Sequence, residues 1–228
     1  MAGLEGIDAS AMEIVDALGA RFVYDSGERV VKPVVRHTDF IPVARCVEGE
    51  RVLERTRFGL SVGPRVLTNA RSDNLASPAW KGLYGKPEHH ALAAVSYVIE
   101  RDAKGNSYRI QRRDGKTMAV AALAAKRHYK FASTGNEYDD WGHVQLTADA
   151  NPFVAQVHGR FVVELPDKAA RDAWMAAEAQ AIQKERLLVP APDDRYEMVP
   201  ISPDVWKKRD AESVMPRGPP LRGIQARL

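Results

Sequence analysis

The sequence is short of cysteine: Cys46 is the only one among 228 residues. This excludes an intramolecular disulfide and any zinc site built on several thiolates. No apolar run approaches the roughly 20 residues that a membrane-spanning helix requires, so none is expected. Met1-Ala2-Gly3-Leu4-Glu5-Gly6 lacks the basic and then apolar stretches of a secretory signal. A soluble, cytoplasmic protein without membrane association is therefore expected. Internal repeats are also missing. The six histidines are scattered, and neighbours on a strand point to opposite faces, so His89-His90 makes a poor metal claw. Neither a metal nor a cofactor is expected.

Net charge is small as well, 33 Lys and Arg against 30 Asp and Glu, or +3 with a pI near 9.0. Such a balance permits nucleic acid as a partner without demanding it. Its distribution is more informative. Arginine recurs around 51–71, at 109–113 and in the tail, and its forked guanidinium suits phosphate, although a solvated basic surface would look the same. The length can bury a sizeable core, and no long linker precedes the C-terminal segment. One domain over 1–215, a basic Pro/Arg-containing tail over 216–228 that is disordered, and a monomer are expected.

Along the chain, Ser10-Ala11-Met12-Glu13 has capping-box spacing, with Ile14, Val15 and Leu18 as an apolar stripe and Gly19 as a stop. A short helix is predicted over 10–18. Strand-type runs follow at 21–24, 29–35, 41–47 and 51–57, punctuated by Gly27, Pro33, Pro42 and Gly49. Residues 61–86 read as loop, and 91–99 as one apolar strand. The turn Asp114-Gly115 between 108–113 and 117–125 predicts a β-hairpin with a central second strand, followed by a polar excursion over 126–141. Residues 167–187, capped by Asp167, form the clearest helix, with Trp174, Met175, Ala181 and Ile182 facing the core. Cys46 falls in a strand and reads as a buried small hydrophobe. The class is α+β, a mainly antiparallel, barrel-like sheet with peripheral helices.

Residues 146–165 carry the candidate chemistry: a buried strand, an Asn151-Pro152 break, one or two helical turns, and a His158-Gly159-Arg160 corner feeding a second apolar strand. A histidine at such a corner, with glycine giving the backbone room, is placed to point into a cleft; a packed structural histidine would look the same. Arg57-Phe58-Gly59-Leu60, Thr68-Asn69-Ala70-Arg71-Ser72-Asp73 and Glu100 at a strand end add an amide, guanidinium groups and a carboxylate. Together they suffice for anion binding with acid–base chemistry.

These motifs, in this order, resemble the SOS response-associated peptidase (SRAP) family, which processes abasic sites in single-stranded DNA. The likeness runs from about 55 to about 205. Arg57-Phe58-Gly59-Leu60 resembles the family's Arg-Trp-Gly-Leu, and Asn69-Ala70-Arg71 matches its Asn-Ala-Arg. Residues 89–100 are similar to the strand ending in its glutamate. Arg112-Arg113-Asp114-Gly115-Lys116, followed by 118–123, is similar to its central hairpin. Leu146-Thr147-Ala148-Asp149-Ala150-Asn151-Pro152 and His158-Gly159-Arg160 look like its Thr-Thr-x-Ala-Asn and His-Asp-Arg segments. Asp193-Asp194 and Val199-Pro200-Ile201-Ser202 resemble its closing region.

In that family a cysteine at position 2, exposed when Met1 is removed, captures the abasic aldehyde through its amine and thiol as a stable cross-link. The resemblance implies that Asn69 and Arg71 hold the DNA backbone and amino terminus. It further implies that Glu100 manages protons at the amine and sugar, and that His158 is the acid–base partner for ring opening or reversal. Arg65 and Arg160 join Arg71 as expected DNA contacts.

Position 2 here is Ala2. Without the thiol no thiazolidine can form, but an α-amine with a pKa of about 7.7–8.0 still supports a reversible imine that can lead on to β-elimination. Leu4 replaces the family's arginine, Ser61–Thr68 is a shortened wedge that weakens base stacking, and Gly159 replaces the Asp after the histidine. Three readings follow: an abasic-site enzyme or cross-linker acting through its N-terminal residue, a catalytically silent single-stranded or junction DNA-binding module, and a pocket repurposed for a non-nucleic ligand or a protein partner.

Overall fold

The computed structural model describes residues 4–21, 29–130, 135–176 and 186–223. Its first strand, β1 (Leu4–Ser10), runs into helix α1 (Ala11–Leu18) through the reciprocal capping box. The Ser10 hydroxyl accepts from the Glu13 amide and the Glu13 carboxylate accepts from the Ser10 amide. Gly19, left-handed at φ 58°, stops the helix as expected. Strands β2 (Arg29–Val35), β3 (Phe40–Val47) and β4 (Glu50–Phe58) follow, largely where the sequence places them. Cys46 on β3 is half-buried.

The stretch 61–86 is less irregular than expected. It holds three short strands, β5 (Leu60–Val62), β6 (Arg65–Leu67) and β7 (Asn69–Arg71), and the short helix α2 (Lys81–Tyr84). The apolar run 91–99 is not one strand. It divides at Ser96 into β8 (His90–Val95) and β9 (Tyr97–Arg101), which belong to different sheets. Ser96 marks the crossing: its amide donates to the Gly6 carbonyl, and its hydroxyl accepts from the Asp8 amide. Both halves are buried, so no change of alternation signals the switch.

The predicted hairpin is likewise a corner between sheets. After β10 (Ser107–Arg112) the turn forms as read, with Gly115 donating to the Arg112 carbonyl. Yet β10 pairs with β9, whereas β11 (Met118–Lys130) pairs with β8 and β12 (Glu137–Asp149). Turn chemistry specifies the reversal, not the partner. The polar excursion is a two-stranded ribbon: β11 and β12 stay in register out to Lys130↔Glu137, beyond the apolar core.

The remaining elements are β13 (Arg160–Val162), α3 (Lys168–Met175), β14 (Tyr196–Ile201), α4 (Val205–Lys208) and β15 (Leu221–Arg222). Asp167 caps α3 by accepting from the Ala170 amide, and Trp174 and Met175 are buried. Residues 177–185 of the expected helix, with Ala181 and Ile182, most of the run 21–24, and Ala2 lie outside the described residues. Within the segment read as a disordered tail, β15 pairs antiparallel with β14.

The topology is a closed barrel plus an open sheet. Strands β11, β8, β3, β4 and β12 hydrogen-bond in that order and β12 closes on β11, while β13 and β7 attach to β12. The second sheet has the order β15-β14-β10-β9-β1-β2. β8 and β11 are buried on both faces because α1, α2 and α3 pack on them, hence their near-continuous Ala, Val and Leu. One contact sets the spacing of the open sheet. Tyr97 lies across β1 and donates its hydroxyl to the Pro33 carbonyl at 2.9 Å. A Cβ on Gly6 would come within 2.3 Å of that ring, so only glycine fits there.

Candidate functional site

A cavity of about 560 Å³ opens where the barrel meets the open sheet, and strand alternation fills its wall. On β9, Val98 and Glu100 face the cavity while Tyr97 and Ile99 pack into a small separate core. On β7, Asn69 and Arg71 face it while Ala70 is fully buried. Parallel pairing sets Asn69 beside Gln145 and Arg71 beside Thr147, so β12 contributes Gln145, Thr147 and Asp149 by the same period of two. β1 contributes Leu4 and Glu5, which pair with Ile99 and Val98.

His158 arrives from a separate segment. Asn151 breaks the strand, and its side-chain oxygen accepts from the Val154 amide to start a single turn of 3₁₀ helix, Val154–Gln156. The His158 amide then donates to the Val154 carbonyl. Its ring Nδ1 sits 2.9 Å from the Arg160 carbonyl and 3.3 Å from the Arg160 amide. The shorter contact favours Nδ1–H as donor, which leaves Nε2 as the basic nitrogen. The orienting group that Gly159 cannot supply is therefore a backbone carbonyl two residues on. Gly159 itself is not required for space: a Cβ there would meet nothing within 4 Å, and its φ is not left-handed. Across the cavity, His158 Nδ1 lies 3.8 Å from the Glu100 carboxylate. Glu100 is 6 % exposed, so the pair is shielded from bulk water on the carboxylate side.

The cations are more constrained than the sequence suggests. Arg71 forks onto Asp73 at 3.0 and 2.6 Å, and that hydrogen bond, with Arg160 nearby, holds the Asp73 carboxyl down at about 2. Arg160 bonds the Asp149 carboxylate at 3.0 Å and the Thr147 carbonyl at 2.5 Å, with Asp73 at 3.6 Å. Arg65 stands exposed at the start of β6 and is not among the residues lining the cavity. Phe58 lines it, whereas Arg57 turns to Asp140 at 3.0 Å.

Sequence reasoning missed Glu5, buried in the wall with its Oε2 accepting from the Gln145 amide. Burial pushes its carboxyl up to about 8, the amide contact opposing part of that shift. β1 reads Leu-Glu-Gly-Ile-Asp-Ala-Ser, poor in the β-branched and aromatic residues that mark a strand, so no alternation pointed to it. The buried His143, one turn of the period from Gln145, bonds Thr56 Oγ1 at 2.8 Å and lies outside the cavity lining. Neither His89 nor His90 is set as a claw. His89 Nδ1 lies 2.9 Å from the Ala124 carbonyl, and both ring nitrogens of His90 lie within 3 Å of backbone carbonyls, of Trp174 and Tyr84. Among the described residues, no helix is long and apolar enough to cross a membrane.

Comparison with solved structures returns the same fold. A protein from Bacteroides thetaiotaomicron superposes with a TM-score of 0.71 at 16 % identity, covering 94 % of this chain and 99 % of that one. A Bordetella bronchiseptica protein gives 0.64 at 20 % identity over 89 % and 100 %. A phage-related protein from the same organism gives 0.66 at 19 % over 87 % and 93 %. A search of curated proteins yields no match. The family model described as SOS response associated peptidase (SRAP) matches residues 24–208, most of the chain and all the site segments from Asn69 to Arg160. The chain belongs to the SRAP family.

Proposed function

We propose that this protein binds abasic sites in single-stranded DNA and processes them through the amine of its N-terminal residue, Ala2 once Met1 is removed. The observation that carries the reading is the convergence of Glu100, His158, Asn69, Arg71 and Arg160, from separate segments, on one cavity. Leu4, the first described residue, lines that cavity and pairs with Ile99, the neighbour of Glu100. Two further residues of chain span at most about 7 Å, so chain length alone keeps the Ala2 amine within reach.

The chemistry follows from the groups present. Ring opening of the abasic sugar exposes an aldehyde at C1, and His158 Nε2 takes and returns the proton that this requires. The neutral amine adds to the carbonyl carbon, and loss of water from the carbinolamine gives an imine, with Glu100 relaying the proton. No thiol is available at Ala2 to close a ring on that imine, so it stays reversible. Arg71 and Arg160 meet phosphate by exchanging Asp73 and Asp149 for it, while Asn69 offers an amide to the backbone. A cytoplasmic, monomeric DNA-processing protein is part of the same proposal.

Borohydride reduction of a mixture with abasic single-stranded oligonucleotide tests it: a covalent adduct is expected. Salt-sensitive binding without any trapped adduct would instead favour the silent DNA-binding module, for which Ala2 is the motivating feature. Absence of binding at low salt would leave only a non-nucleic ligand or a protein partner.

A further inference from the structure

We infer that Glu5 contacts the ligand, as a hydrogen-bond donor on the cavity wall that recognises an oxygen of the bound sugar. The inference rests on the reading above for the identity of the ligand and on geometry for the rest. Glu5 is 2 % exposed and stands on β1 between Val98 of β9 and Val35 of β2, its partners in register, so apolar side chains flank it in the sheet. One oxygen, Oε2, is taken by the Gln145 amide. The other, Oε1, is buried and has no hydrogen-bond partner, although the residue lines the cavity.

Charged groups line the same wall, but burial decides its state. Glu100 from β9 lies on the same face two residues beyond Val98, and Asp149 from β12 lines the same wall. His158 and Arg160 approach from the segment after β12, and Arg71 from β7. Both guanidinium groups are held by Asp73, Asp149 and the Thr147 carbonyl. No ion pair reaches Glu5 among the described residues, so burial favours its acid form, in line with a carboxyl pushed up to about 8.

A carboxylic acid has one O–H. Oε2 already accepts from an N–H, so it is the carbonyl-like oxygen and the hydrogen resides on Oε1, the unpartnered buried oxygen of a residue that lines the cavity. That hydrogen needs an acceptor. Sugar hydroxyl, ring and aldehyde oxygens qualify; an apolar or cationic group does not, and phosphate goes to Arg71 and Arg160 instead. The Glu5–Gln145 pair thus makes the wall selective for a sugar stripped of its base, whose C1 oxygen is the added feature.

The test measures equilibrium binding of the full chain to a fluorescent single-stranded oligonucleotide bearing a borohydride-reduced abasic site, which keeps the sugar oxygens but cannot form an imine. The same oligonucleotide without the lesion is the reference. At pH 7, Glu5→Gln keeps a donor and binds within about twofold of wild type, whereas Glu5→Leu loses about five- to tenfold on the lesion only. Between pH 7 and pH 9 wild type falls toward the Leu variant and the Gln variant does not. If the proton is instead spent on a turned-over Gln145 amide, both variants bind like wild type and the role assigned to Glu5 is overturned. A carbon-13 carboxyl titration of wild type, assigned by loss of the signal in Glu5→Gln, needs neither ligand nor a stable Leu variant; ionisation near the ordinary 4.5 overturns the donor outright. Equal wild-type affinity for lesion and reference would overturn the abasic-site reading itself, and with it the ligand named here.

Discussion

Replacing Glu5 by Gln should stabilise the protein, by an amount set by pH. Its carboxyl is raised from 4.5 to about 8 by burial. Below 4.5 the folded and unfolded chains both hold the proton, so no penalty exists there. As pH rises past that point the unfolded chain releases its proton while the folded chain keeps it until about 8, and folding weakens throughout the window. One unit is worth about 1.4 kcal/mol, so at pH 7 the penalty is about 3 kcal/mol and above pH 8 about 5 kcal/mol. Gln is isosteric, still accepts from Gln145, and cannot ionise. Urea unfolding of both proteins at pH 5, 7 and 8.5 should show a difference that grows by about 3 kcal/mol between the first two values. Parallel stability curves would refute the argument, because they would mean that Glu5 titrates alike in the folded and unfolded chains.

His143 works from the other side. Burial holds its ring down at about 3, so its contribution is present above 6.5 and lost as pH falls toward 3. His143→Gln should flatten the acid limb of stability by about 4–5 kcal/mol over that window; an unchanged limb in acid titration of the folded fraction would count against it. Glu164 has a fully buried side chain that accepts from Arg112, Arg195 and the Tyr196 hydroxyl. Glu164→Gln leaves the Arg195 guanidinium without its anion, while Arg112 keeps Asp114, and should cost about 3–5 kcal/mol by urea unfolding, with a loss below about 1 kcal/mol contradicting the network's importance. Asp73→Asn releases Arg71 from its fork and removes the carboxylate at 3.6 Å from Arg160. Single-stranded DNA should then bind more tightly, with a salt dependence steeper by about 0.7 per guanidinium that gains a phosphate, whereas an unaltered slope would show that neither arginine reaches the backbone.

The residues that face the cavity were legible to different degrees, for physical reasons. Asn69, Arg71, Glu100 and His158 sit in segments with recognisable order, and the strands carrying them alternate between core and cavity as a period of two requires. What linear pattern could not show was partner choice. Ser96 splits an apolar run between two sheets, and Asp114-Gly115 turns the chain from sheet to barrel, because burial on both faces erases alternation and a tight turn does not select its pairing. The outer half of the β11–β12 ribbon read as a polar excursion since it projects from the core. Glu5 was invisible because β1 has weak strand propensity and its partner, Gln145, lies 140 residues away.

The central claim is that Glu100 and His158 are arranged for carbonyl chemistry at the amino terminus. Ala2→Cys tests it most directly, since a thiol beside the amine converts a reversible imine into a stable ring. Incubated with an abasic single-stranded oligonucleotide and no reductant, the variant should form an adduct that survives denaturing electrophoresis, and Glu100→Gln in the same background should slow its formation. A folded Ala2→Cys protein that forms no such adduct would contradict the account.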